Sequence, residues 1–249
     1  MEISSNNQKA TTFRLGKRLA KIASLVPDCS CVADIGTDHA YIPVFLVKNG
    51  IAKTAIASDI RKGPLERAQK TVSSNCCESS ISARLGAGLE TVSAGEADVI
   101  IIAGMGGILI SEILKAGEKA ARGASLLILQ PMTATTELRL FLIENGYSIK
   151  SESLVFEEGK LYNIITAAAQ PVSGSYSPAE LYLGKRESYK EEDAELYQKY
   201  CQNVVKKLNK RICGLEKSKN AQNEPELENL KELLKQIEET VGSQFPKTD

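Results

Sequence analysis

The sequence predicts an α/β fold: a mostly parallel open sheet with helices on its faces, an antiparallel hairpin at one edge, and a helical hairpin beyond it. Three observations predict it. Short apolar runs alternate five times with helix-like segments between Cys31 and Asn145. Two strand-like runs then follow with only Glu157-Glu158-Gly159-Lys160 between them, the spacing of a hairpin and not of a crossover. After Gln170 the chain turns polar and carries apolar residues at heptad-like intervals.

In order, Met1 to Thr12 is polar and is expected to be frayed. Phe13 to Val26 reads as an amphipathic helix with Leu15, Leu19, Ile22 and Val26 on one face. Arg14, Lys17, Arg18 and Lys21 form a basic stripe centred about a third of a turn away. Such a stripe is either a solvated face or a phosphate-binding ridge. Val32–Ile35 is the first strand, Tyr41–Lys48 a helix, and Thr54–Ser58 the second strand, ending at Asp59. Pro64–Ser73 is a helix whose proline suits its first position. Ile81–Leu85 is the third strand, followed by Gly86, Ala87 and Gly88. Asp98–Ala103 is nearly all β-branched and apolar, as a central strand buried on both faces must be. Gly104-Met105-Gly106-Gly107 turns from it into a helix through Leu114. Ser125–Gln130 is the fifth strand, ended by Pro131, and Thr133–Asn145 a helix stopped by Gly146. Ser148–Phe156 and Leu161–Ala168 make the hairpin.

Pro171 to Pro178 reads as a linker, which divides the chain into residues 1–170 and 171–249. In the second part Tyr197, Cys201, Val204, Leu208, Ile212 and Leu215 mark one helix, and Leu227, Leu230, Leu234, Ile237 and Val241 another. Lys217 to Pro225 is a polar loop between them, so the two helices form an antiparallel coiled-coil hairpin.

Composition narrows the function classes. The 31 basic and 31 acidic residues cancel, so any nucleic-acid footprint must be local. Six cysteines without a C-x-x-C pair, and a single histidine, do not suggest a metal site. The polar start does not look like a signal peptide, and Val99–Met105 is far too short to cross a bilayer. The expectation is a cytoplasmic protein with free thiols and no membrane association.

The stretch Val32–Pro43, VADIGTDHAYIP, is the strand, turn and helix start that nucleotide-type cofactors use in open α/β folds. Asp59 closes the next strand 24 positions after Ile35, the interval at which a carboxylate holds ribose hydroxyls. Of the dinucleotide glycines only Gly36 is present. Dinucleotide dehydrogenases also repeat a second βαβαβ half, where this chain has a hairpin. Five βα units and an antiparallel edge look instead like a class I, Rossmann-like S-adenosylmethionine (SAM) methyltransferase. That cofactor has no phosphate, so one glycine and a carboxylate at Asp38 suit its ammonium and sulfonium.

The phrases ADIGTDHAYIP, ASDI, GAGLE, AGMGG, LQP and EEGKLYNII occur in order between Phe13 and Thr166. Together they resemble the bacterial tRNA (adenine-22-N1)-methyltransferase family, which also carries a coiled-coil tail. The resemblance implies a SAM-dependent enzyme that methylates N1 of the adenine at position 22 of tRNA. It implies that Asp34, Gly36, Asp38, His39 and Tyr41 form the first cofactor loop and that Asp59 with Ile60 holds the ribose. Gly86, Ala87 and Gly88 would border the cofactor adenine. Gly104, Met105 and Gly106 would face the methionine end and the target base. The family carries Asp at the place of Ala87 and Glu at that of Asn163, so here the cofactor N6 amine needs another acceptor.

Methylases of exocyclic base amines place an Asp/Asn-Pro-Pro-aromatic clamp after the fourth strand; this chain has Gly104-Met105-Gly106-Gly107 there. Neutral adenine already offers a lone pair at N1, so alignment carries most of the catalysis. The product base is cationic, and Asp38 is the candidate catalytic carboxylate beside it, with a purely cofactor-binding role as the alternative. His39 is expected to hold the loop. Arg14, Lys17, Arg18 and Lys21, with Gln130 and Tyr162, are the candidate tRNA contacts, Arg18 foremost. The tail is either a tRNA grip or a dimer contact, and the chain is expected to be a monomer or weak dimer. Two other readings share this fold: a SAM methyltransferase of a small molecule or protein, and a non-catalytic RNA-binding relative.

Overall fold

The computed structural model describes residues 14–171, 174–218 and 224–244. The expected frayed start, Phe13 and the middle of the polar loop in the tail lie outside them. Seven strands form one sheet: β1 Cys29–Ile35, β2 Ala52–Asp59, β3 Ile81–Leu85, β4 Val99–Gly106, β5 Leu126–Thr133, β6 Ser148–Glu157 and β7 Lys160–Ala168. Their order is β3-β2-β1-β4-β5-β7-β6. The first five are parallel, whereas β7 is antiparallel to both β5 and β6. The order reverses between β1 and β4, so the crevice beyond their carboxyl ends is the natural ligand site.

The apolar run of β4 explains its central place. Val99 and Ile101 enter one core with Val32, Val44, Leu46 and Ile128. Ile100 and Ile102 enter the opposite core with Ile35, Leu127, Leu129 and Leu138. Strand alternation sends neighbours to opposite faces, and both faces are covered by helices. These are α1 Lys17–Ser24, α2 Tyr41–Lys48, α3 Lys62–Ser74, α4 Gly107–Ala116, α5 Glu118–Gly123 and α6 Thr135–Glu144.

Several boundaries differ from the sequence expectation for tertiary reasons. Helix α1 begins at Lys17, after an extended Gly16. Its Arg18 amide donates to Glu157 Oε1 at 3.4 Å, so the distant hairpin turn helps define its start. Strand β1 begins at Cys29, because the Asp98 carboxylate accepts the amides of Ser30 and Cys31 at 2.7 and 2.9 Å. Strand β5 continues past Pro131 to Thr133, and the β4–β5 register shifts at that point, where a missing N–H is tolerated. Helix α5 was not expected, being only 6 residues long.

The tail holds α7 Pro178–Leu183, α8 Ala194–Ser218 and α9 Glu224–Gln244. Helix α7 carries a complete Ser177/Glu180 capping box with Pro178 in the first turn, a start signal present in the sequence but read there as linker. The predicted heptad residues Tyr197, Cys201, Leu208, Ile212, Leu230 and Ile237 are buried together, and Leu154 of β6 joins them. The helical layer is therefore packed onto the sheet edge. Arg139 of α6 fixes it there. Its fully buried guanidinium contacts Glu152 Oε2 at 2.7 Å, the carbonyls of Leu181 and Tyr182 at 2.9 Å each, and the hydroxyls of Tyr189 and Tyr200 at 3.2 and 3.3 Å. Asn163 donates to Glu152 at 2.8 Å and to the Tyr189 hydroxyl at 3.0 Å. Asn163 thus lies in the interface with the tail.

Candidate active site

A cavity of about 410 Å³ opens at the switch point between β1 and β4. Arg18, Asp34, Gly36, Asp38, His39, Tyr41 and Gly104 of the expected site residues line it together. The turn after β1 dictates its shape. Gly36 has φ +76°, and a β-carbon there would overlap Met105 Cε. The methionine's terminal methyl could shift aside, but the left-handed backbone itself favours glycine. Met105 lies against the first loop, and Gly104 carries φ +77° beside it.

Asp34 ends β1 and is buried. Desolvation pushes its pKa up to about 6, with the Thr37 hydroxyl acting in the opposite direction. A buried carboxylate facing a cavity is held at a cost in free energy that a cationic ligand would relieve. Thr37 was not singled out from the sequence; its Oγ1 also accepts the Ala40 amide at 3.0 Å, and the three-residue interval is the available signal. Asp38 is more than half exposed and accepts from Arg67 Nε at 3.1 Å and from Arg67 Nη2. The Arg67 hydrogen bonds hold its carboxyl below the usual carboxylate range, aided by His39. His39 Nε2 lies 3.3 Å from Asp38 Oδ2, and its ring stacks on Tyr41 at 4.9 Å. Arg67 and Arg61 were missed: Arg67 arrives from α3, and nothing in the linear pattern connects it with Asp38.

The remaining expected residues occupy the same end of the sheet without lining that cavity. Asp59 is buried at the end of β2 and accepts the Arg61 amide at 2.7 Å, while Ile60 is 66 % exposed. The Gly86 amide donates to the Asp59 carbonyl at 3.1 Å, which brings Gly86, Ala87 and Gly88 beside the β2 terminus. Gly106 caps the start of α4.

The basic stripe on the first helix is divided. Arg14 and Lys17 are exposed, and Lys21 reaches Glu192 of the tail at 3.7 Å. Arg18 turns inward: its Nη1 donates to Gln130 Oε1 at 2.8 Å, and its guanidinium stands 5.5 Å from the Tyr162 ring centre. Gln130 is fully buried and its amide also donates to the Pro131 carbonyl at 2.9 Å. The structure thus joins Gln130 and Tyr162 to Arg18, which lines the cavity, and leaves Arg14, Lys17 and Lys21 outside it.

This donor set fits SAM. The buried Asp34 suits its ammonium, Arg18 suits a carboxylate in the same cavity, and the glycine turns let the main chain approach. No group of His, Cys, Asp or Glu able to hold a metal occurs among the described residues, nor any helix long and apolar enough to cross a membrane.

Comparison with known proteins agrees. A family described as a methyltransferase domain matches residues 15–165. The tRNA (adenine(22)-N(1))-methyltransferase of Bacillus subtilis is 36 % identical over 231 residues, 90 % of this chain and 97 % of that protein. The crystal structure of the B. subtilis M1A22 tRNA methyltransferase TrmK superposes with a TM-score of 0.80 at 33 % identity, covering 90 % of this chain and 99 % of that one. Sp1610 of Streptococcus pneumoniae, a putative tRNA (m1A22) methyltransferase in complex with S-adenosyl-L-methionine, gives 0.78 at 31 % identity, covering 92 % and 100 %. On the fold, the loop chemistry and these likenesses together, the chain belongs to the bacterial tRNA (adenine-22-N1)-methyltransferase family of SAM-dependent, class I enzymes.

Proposed function

We propose that this protein transfers the methyl group of SAM to N1 of the adenine at position 22 of tRNA, in the cytoplasm and as a monomer or weak dimer. The carrying observation is the cavity lined by the Asp34–Tyr41 loop, Gly104 and Arg18, whose guanidinium is held from behind by Gln130 and Tyr162. SAM supplies an electrophilic methyl carbon. Asp34 binds the cofactor's ammonium, and Asp59 its ribose.

The chain's own contribution is chiefly orientation. Gly104, Met105 and Gly106 leave a wall without the polar clamp that exocyclic amine methylation uses, so the Watson–Crick edge of a flipped adenine can present N1. Alignment of this kind contributes on the order of 7–11 kcal/mol in favourable cases. The base becomes cationic on reaction. Asp38, held ionised by Arg67, stabilises that charge, and its lowered basicity suits this role better than proton removal. Arg18 contributes positive charge at the mouth, where phosphate or carboxylate is bound, and Tyr162 holds it there. Exposed Arg14 and Lys17 add phosphate contacts that weaken with salt.

The test is incubation of the full chain with labelled SAM and unmodified tRNA, followed by nucleoside analysis. N1-methyladenosine at position 22 is the expected product. Label in protein or small metabolites instead, or none anywhere, refutes the reading.

A further inference from the structure

The cofactor cavity shares a wall with a second cleft. Tyr162, which carries Arg18 on its ring, lines a space of about 390 Å³ between the end of β5, the start of β7 and helix α8. Its floor of Pro131, Met132 and Leu161 continues into an adjoining space of about 310 Å³ that reaches the start of α6. Tyr162 apart, no residue assigned to the methyl-transfer site lines this cleft.

Its chemistry is one-sided. Lys160, Lys206, Lys207 and Arg211 border the two spaces, and Glu137 is the one carboxylate among the described residues that line them. Arg211 is matched by Glu226 at 2.6 Å. The lysines that do form ion pairs among the described residues are Lys21, Lys190 and Lys231; Lys160, Lys206 and Lys207 are not among them. Between these ammonium groups lie flat or polarisable surfaces. Tyr162 and Tyr200 are half-buried, and Met132 is 46 % exposed. Tyr200 is fixed by its hydroxyl, which donates to the Tyr182 carbonyl at 3.0 Å. Cations that track a backbone, interleaved with ring faces on which a base can stack, are the physical signature of single-stranded nucleic-acid binding. Arg18 and Arg139 already stand against the Tyr162 and Tyr200 rings, and an acidic peptide would match the lysines but make no use of the remaining aromatic and Met132 surface.

We propose that this cleft is a subsite for an unpaired ribonucleotide next to the target adenosine. Its base lies against Met132 and the tyrosines, and its phosphate between Lys160, Lys206 and Lys207. Flipping the target into the cofactor cavity then draws its neighbour out of the stack as well, and the cleft compensates for the stacking so lost. The inference rests on the tRNA reading above and names where the strand runs.

The experiment measures binding of tRNA transcripts to the full chain saturated with S-adenosylhomocysteine. An abasic residue at one neighbour of the target adenosine should raise Kd about tenfold, the loss of one stacked base. An abasic residue in the anticodon loop should change nothing. The variant Lys206→Ala/Lys207→Ala should bind S-adenosylhomocysteine normally by calorimetry. Its slope of log K against log salt for tRNA should be shallower by about 1.4, two single-strand phosphate contacts. Kd within twofold for abasic residues at both neighbours overturns the proposal, as does an unchanged salt slope. Failure of the wild-type chain to methylate any tRNA overturns the functional reading itself. Normal methylation with dispensable neighbours overturns only the cleft.

Discussion

Replacing Arg139 with methionine removes a fully buried cation from the interface between the sheet and the helical tail. Glu152, fully buried, loses the hydrogen bonds from Nε and Nη2 that now surround it at 2.7–3.2 Å. It keeps only neutral donors, Asn163 and the Tyr189 hydroxyl. The carbonyls of Leu181 and Tyr182 lose a charged donor at the end of α7. Breaking a buried pair from one side costs about 3–5 kcal/mol, because the remaining charge is uncompensated. Taking about 4 kcal/mol, the melting temperature of a chain this size falls by roughly 8–16 °C. Denaturation by urea, followed by far-ultraviolet circular dichroism, gives the free energy. Arg139→Met/Glu152→Met should recover part of the loss, since two apolar side chains replace two charges. A cost below about 1 kcal/mol for the single variant, a value ordinary for surface pairs, would show that the latch is not what holds the tail to the sheet.

The other predictions concern the site. Asp34→Asn should weaken S-adenosylhomocysteine binding in calorimetry yet stabilise the ligand-free chain. The folded pKa of Asp34 is raised to about 6 from 3.8, so the folded state binds more protons between those values. Stability contributed at Asp34 is therefore lost as pH rises through that window, on the order of 2–3 kcal/mol. Cofactor affinity runs the other way and should drop as pH falls through about 6; a flat profile from pH 5 to 7.5 would remove Asp34 from the ammonium site. Asp59→Ala should weaken cofactor binding with the fold retained, and unchanged affinity would show that the ribose is held elsewhere. Asp38→Asn should lower kcat about tenfold with little change in cofactor affinity, by loss of charge stabilisation; an effect confined to cofactor affinity would assign Asp38 to binding alone. Truncation after Gln170 uncovers Leu154 and strips Arg139 of its tail partners. The shortened chain should therefore melt earlier than the full one, as well as losing tRNA affinity.

Local periodicity was enough for the order and type of the five βα units, the edge hairpin and the two long tail helices. Each is specified by residues within one element: alternation on two faces for β4, heptad spacing for α8 and α9. The turn after β1 was also legible, because Gly36 at positive φ and Asp34 near the strand end are local features of that loop. The tertiary structure decided what depends on distant segments meeting. It placed Arg67 of α3 on Asp38, Glu157 of the hairpin on the start of α1, and Glu152 of β6 on Arg139 of α6. It also divided the basic stripe of the first helix, sending Arg18 inward to Gln130 while Lys21 turned to Glu192. A helical stripe records only which residues share a face. Which of them meets a partner is settled by the elements packed against that face, and their positions are not written in the spacing of any one segment.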